Sequence, residues 1–221
     1  MDLTPVLISC KTAAVSIAVT FFIGLLAAVW VAGIRNRFLK MALDGVLTLP
    51  LVLPPTVAGF FLLFIFGLRG PIGRFFVYFF GVKIAFSWGA TVLAAAVISF
   101  PLMYRSARGA LEQVEPELVY AARTLGMSEL RIFWRVSLPA ALPGISGGAV
   151  LAFARGLGEF GATAMIAGNI AGRTRTLPLA IYSETAAGNM DAAGSYVLVI
   201  TLFSFIVVAL LNYFAGKKPW A

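Results

Sequence analysis

Residues 13–33 read AAVSIAVTFFIGLLAAVWVAG, a run without one charged side chain. Coiled as a helix, a run of this length crosses a hydrocarbon core of about 30 Å. That reading decides the fold class. Inside lipid every backbone N–H and C=O must be bonded within its own segment or within a closed barrel. The run is continuously apolar rather than alternating, so it is a helix and not a barrel strand. It is too long for the apolar region of a signal peptide and no clear A-x-A site follows it, so the segment is expected to stay in the chain.

Outward from this run, residues 45–68, 84–104 and 192–215 are also free of charge. A fifth stretch, 141–168, is apolar and glycine-rich but carries Arg155 and Glu159. The expectation is an all-α polytopic membrane protein of about five spans forming a single domain over 1–221. Composition agrees: 61% of the residues are apolar, 12% are charged, and the mean hydropathy is +0.96. Lys and Arg set the orientation. Arg35, Arg37 and Lys40, then Arg105, Arg108, Arg123, Arg131 and Arg135, then Lys217 and Lys218 fall on one side. Arg69, Arg74, Lys83, Arg173 and Arg175 fall on the other. This bias predicts an outside N-terminus, a cytoplasmic C-terminus and a cytoplasmic segment at 105–139. The same topology accounts for much of the net charge of +8, so nucleic acid is not an expected partner. Cys10 is the only cysteine and histidine is absent, which excludes an internal disulfide, a histidine metal site and a histidine proton relay.

The segment 105–139 interrupts the apolar sequence with a patterned insert. Pro116, flanked by Glu115 and Glu117, opens a helix that Gly126 stops. Val114, Leu118, Ala121, Ala122 and Leu125 share one face of it, and that face needs a partner. A second helix starts at Ser128 and runs through Arg135 toward Leu138 and Pro139. The pattern fits a surface connection and a docking element equally well.

Within the spans, Pro50, Pro54 and Pro55, followed by Thr56, require a kink or a break that either faces a pathway or serves structure alone. Ser99, beside Pro101, invites the same two readings. Arg155 and Glu159 share a helix face. They read as an intramembrane charge pair that either fixes packing or couples protons. Gly144 and Gly148 form G-x-x-x-G, which permits close packing inside the subunit or across a dimer. Residues 169–194 are too polar for a sixth span and lie at the outer surface or dip back in. Within them Arg173 and Arg175 suit an acidic partner, an approaching oxyanion, or plain solvent. No G-x-x-x-x-G-K-[ST] loop and no nucleophile–base–acid set is present, so the chain is read as a conduit rather than an enzyme.

Tyr120-Ala121-Ala122, Gly126, Val136 and Leu138-Pro139 stand at the spacing E-A-A-x3-G-x9-I-x-L-P of the cytoplasmic loop of ATP-binding-cassette importer permeases, with Tyr for Glu and Val for Ile. LPLVLPPTVAGFFLL at 49–63, FSWGATVLAAAVISFPLMYRSAR at 86–108 and LAFARGLGEFGATAMIAGNIAGRTRTLP at 151–178 resemble the molybdate importer permeases, with sulfate and tungstate permeases as nearest relatives. The resemblance implies the MetI-like type I importer fold in a bacterial plasma (inner) membrane. It also implies that Glu117, Ala121, Ala122, Gly126, Leu138 and Pro139 couple to an ATPase. Its implied partners are a second copy of the chain, two ATP-binding-cassette subunits carrying ATP and magnesium, an extracytoplasmic oxyanion-binding protein, and membrane lipid. This chain itself is expected to bind no cofactor. An ion-coupled secondary anion transporter is the alternative of another class, for which internal repeats are expected and none is found.

Overall fold

The computed structural model describes residues 2–215, so Lys217 and Lys218 lie outside the described residues. The chain is helical: α1 (Thr4–Ala32), α2 (Arg37–Val52), α3 (Pro55–Phe66), α4 (Pro71–Phe80), α5 (Trp88–Glu112), α6 (Pro116–Thr124), α7 (Glu129–Ile132), a π turn (Phe133–Ser137), α8 (Leu138–Leu157), α9 (Gly161–Ala167), α10 (Leu177–Ala186) and α11 (Met190–Ala215). Caps set several boundaries. The Asn36 carboxamide oxygen accepts from the Phe38 and Leu39 amides at 3.0 and 3.2 Å, and Ser87 Oγ accepts from the Ala90 amide.

The stretch 45–68 is divided between two helices whose axes differ by 111°. Pro54 and Pro55 explain the division. Neither can donate a backbone hydrogen bond, and the residue before a proline is driven out of the helical region. Leu53 accordingly sits extended, at φ −69° and ψ 140°. The stretch 141–168 is also interrupted: α8 ends at Leu157, and Gly158 to Phe160 separate it from the short α9.

α1 and α5 pack in parallel at a constant offset of 79 positions. Thr12 and Thr91 share a hydrogen bond at 2.9 Å, Thr20 and Ser99 share one at 3.2 Å, and a Cβ on Gly24 would stand 2.8 Å from Met103 Cγ. α8 lies antiparallel to α5. A Cβ on Gly144 would meet Ala110 Cβ at 2.6 Å, and one on Gly148 would collide with Ser106 Cβ. The G-x-x-x-G pair therefore seats α8 on α5 within the subunit, because small side chains let two backbones approach. The bundle core follows these contacts, with Tyr104, Met103, Ala28, Val31 and Ile145 buried in one cluster.

Parallel α1 and α5 require one crossing between them, supplied by α2 with α3. The connection after α5 then lies at one end of the bundle, and α4 and α10 lie at the other. At that other end the Leu177 amide donates to Ser9 Oγ at 2.7 Å, and the Tyr196 hydroxyl donates to the Asp2 carbonyl at 3.0 Å. By length and composition, four long apolar helices and one bent pair give up to five crossings, the number that parallel α1 and α5 call for.

Candidate functional site: the connecting elbow and the paired helix breaks

The segment between α5 and α8 folds as an elbow built on Gly126. α6 ends with the Gly126 amide donating to the Arg123 carbonyl at 2.9 Å and the Met127 amide to the Ala122 carbonyl at 3.2 Å. This double closure needs a left-handed residue between its arms, and Gly126 has φ +76°. Arg123 then reaches across the turn and grips both carboxylate oxygens of Glu129, at 2.7 and 3.0 Å. Both side chains are open to water, so the pair sets the angle of the turn more than it adds stability.

After α7 the helix widens into the π turn, in which the Leu138 amide bonds the Phe133 carbonyl. Pro139 supplies the reason. It cannot donate to the Arg135 carbonyl, and its ring would crowd that oxygen in a regular turn. The elbow consequently runs into α8 without a loop: Glu129 to Leu157 form one continuous helical span. Leu138 and Pro139 sit half-buried at this junction.

Of the face expected to need a partner, only Ala122 is buried. Leu118 and Ala121 are exposed, and Leu125 is 81% exposed. Tyr120, Leu130 and Trp134 add to the open apolar surface, and Glu117 stands free in the first turn of α6. Large apolar side chains left open in this number over a short charged segment suit an interaction site.

A second arrangement brings the two broken spans together at their breaks. A Cβ on Gly161 would stand 3.0 Å from Pro55 Cβ and 3.2 Å from the Thr56 nitrogen, and one on Gly59 would stand 2.6 Å from Ala162 Cα. Pro55 and Thr56, directly after Pro54, therefore meet the break that carries Glu159. The Glu159 side chain is 1% exposed. Its Oε1 accepts from the Ala162 amide at 2.8 Å, which closes the start of α9. Arg155 Nη1 lies 2.8 Å from Oε2, a charge contact without an aligned hydrogen bond. The carboxylate ties the end of α8 to the start of α9, consistent with the packing reading of this pair.

Pro50 and Ser99 lie elsewhere. Pro50 lines an apolar cavity of about 300 Å³ between α1, α2 and α5, together with Thr20 and Phe100. Ser99 is sealed in the α1–α5 contact, where it donates to the Ala96 carbonyl and bonds Thr20, so its hydroxyl is spent internally.

Two polar features carry no signal in a count of apolar runs. Ser9, Thr12, Ser16 and Thr20 form a buried stripe on α1, legible only as small residues at spacings of three and four. At the elbow end, Arg108 contacts Asp44 and bonds Glu112 at 3.0 Å, Tyr104 donates to Asp44 at 3.0 Å, and Lys40 pairs with Glu112 at 2.7 Å. This network fastens the start of α2 to the part of α5 that leads into the elbow. Asp44, the acid directly before the uncharged run 45–68, is the available clue.

An elbow of this shape between two spans, in a five-crossing bundle, agrees with a match over residues 21–217 to the family described as binding-protein-dependent transport system inner membrane component. The chain belongs to this family. It is 48% identical over 200 residues to the molybdenum transport system permease protein ModB of Escherichia coli K12, covering 89% of this chain and 86% of that one. It is 43% identical over 205 residues to the putative molybdenum transport system permease protein YvgM of Bacillus subtilis, covering 93% and 90%. Among solved structures, an inward-facing MetNI methionine ABC transporter superposes with a TM-score of 0.77 over 97% of this chain and 94% of that one, at 19% identity. The fold is therefore that of an ATP-binding-cassette importer permease, and the protein is a multi-pass component of a bacterial inner membrane. The reading as an ion-coupled secondary transporter is not retained, since the family works with binding proteins.

Proposed function

We propose that this chain is the membrane-spanning subunit of an ATP-driven molybdate importer. The observation that carries the reading is the elbow at Gly126, left-handed at the position the importer loop reserves for glycine, with its apolar surface uncovered. The identity to molybdenum permeases over most of the chain supports the cargo. In this reading two copies assemble with two ATPase subunits, which carry the ATP and magnesium, and a binding protein delivers the oxyanion. The chain supplies no catalytic residue and holds no cofactor. The elbow faces the cytoplasm, as the Lys and Arg bias requires, and the N-terminus lies outside.

The path of force follows from covalent continuity. ATP-driven closure of the ATPases moves α6, and the continuous helix from Glu129 to Leu157 carries that motion through the π turn. α8 grips α5 through Gly144 and Gly148, and at its far end it reaches the Arg155–Glu159 break. There Pro54, Pro55 and Thr56 adjoin, so a shift of α8 is delivered to two helix breaks at once. A tetrahedral dianion passing between two copies needs weak, exchangeable contacts with hydroxyls and backbone amides.

The test is ATP hydrolysis by the permease reconstituted in liposomes with its ATPase partner, with binding protein supplied empty or loaded with molybdate, tungstate or sulfate. Stimulation chiefly by molybdate supports the proposal. Stimulation chiefly by tungstate or sulfate keeps the importer and changes its cargo, and no stimulation by any loaded protein refutes it.

A further inference from the structure

α4 presents three chemically different sides. At 100° per residue, Ile72, Phe75, Phe76, Phe79 and Phe80 fall in one arc, Gly73 lies to one side of it, and Arg74 and Tyr78 lie opposite. Gly73 is buried where α4 abuts the carbonyls of Phe66 and Gly67 at the end of α3. The aromatic arc is exposed, and its rings pack on one another: Phe75 on Phe79 with centroids 4.6 Å apart, and Phe76 on Phe80 at 5.5 Å. At about 15 Å, ten residues of helix cannot cross a bilayer. A left-handed Gly81 ends the helix before Lys83.

Between α3 and α4 lies a cavity of about 380 Å³ lined by Leu63, Phe64, Leu68, Arg69, Pro71 and Phe86. Phe86 is held at φ +58°, a conformation that bulky residues rarely adopt. Its amide donates to the Ile166 carbonyl at 2.9 Å and its ring lies against Gly168, which holds one wall of the cavity in place. Arg69, Arg74 and Lys83 are exposed and form no ion pair among the described residues.

We propose that α4 lies flat in the membrane interface, its aromatic arc among acyl chains, and that Arg69, Arg74 and Lys83 bind the phosphates of anionic phospholipid, one chain of which enters the α3–α4 cavity. Lipid is the fitting occupant because α3, which borders the same cavity through Phe64 and belongs to a bent pair apolar enough to span, exposes Phe60, Phe61 and Phe64 as well. The cations stand on the same end of the bundle and lack protein counter-charges, which the phosphates supply. The inference rests on the membrane-spanning fold and not on the identity of the cargo.

The test uses the complex with its ATPase partners in nanodiscs of phosphatidylcholine, with or without phosphatidylglycerol. In a Cys10→Ser background, nitroxides are placed at Phe79→Cys and separately at Tyr78→Cys, and their collisions with oxygen and with a water-soluble nickel chelate are measured. The expected result is an oxygen-accessible label at position 79 and a chelate-accessible one at 78. Arg69→Gln and Arg74→Gln are each expected to lower retained phosphatidylglycerol about fivefold at low salt, and less at high salt. A chelate-accessible label at 79, or one shielded from both reagents by the second copy or by binding protein, overturns the proposal. Unchanged phosphatidylglycerol retention in both arginine variants overturns it as well, and co-elution with the ATPases confirms that each variant is assembled.

Discussion

Replacing Gly126 separates backbone strain from steric contact at the elbow. A Cβ at this position would meet nothing within 4 Å, so within the subunit a side chain costs only the left-handed conformation at φ +76°. For an ordinary residue that cost is about 1–2 kcal/mol, or roughly 5- to 30-fold in the population of the bent turn. Asparagine tolerates the conformation better than alanine, and a β-branched residue tolerates it worst. Affinity for the ATPase subunit should therefore fall in the order Gly, Asn, Ala, Val, with Gly126→Ala weakened roughly 5- to 30-fold. Membrane insertion should be unchanged, because the turn is exposed and the core does not touch it. The assay is titration of detergent-solubilised or nanodisc permease with ATPase, together with binding-protein-stimulated hydrolysis. Wild-type affinity in both the Ala and Val variants would refute the strain argument. Equal loss in Asn and Val would also refute it, and would place the partner's surface against the glycine itself.

Three further sets of substitutions probe the bundle. Gly148→Val should lower the thermal midpoint through a cost of about 1–3 kcal/mol, because its side chain meets Ser106, while Gly147→Val, with open space around it, should be near neutral; the reverse ranking would place the interface on the other side of α8. Glu159→Gln keeps an oxygen for the Ala162 amide and should assemble with an unchanged pH profile of transport, whereas Glu159→Ala should cost about 1–3 kcal/mol in stability. A pH response lost in an assembled Gln variant would make the carboxyl a proton carrier instead. Asp44→Asn should destabilise by about 1–2 kcal/mol, between the values for exposed and buried pairs, and a double-mutant cycle with Arg108→Gln should show coupling above about 0.5 kcal/mol. Strict additivity would remove the network's role in fastening α2 to α5.

Much of this was legible in the residues. Uncharged runs determined the helical membrane class, because lipid offers backbone polar groups no other partner. Pro54 and Pro55 determined that a span must kink or break, since both lack a donor. Gly126, four residues beyond Ala122 and followed by Leu138-Pro139, determined the elbow and its left-handed turn. What only the tertiary structure decided is which faces meet. In a helix apolar all round, hydropathy does not tell the side that faces lipid from the side that faces protein, because both surroundings are equally apolar. The 79-residue register of α1 on α5, the seating of Gly144 and Gly148 inside the subunit, the internal bonding of Ser99 and the convergence of Pro55 with Gly161 all depend on helix rotation and approach. Those are settled by small side chains and hydroxyls finding one another across a hundred residues of sequence, which no local pattern encodes.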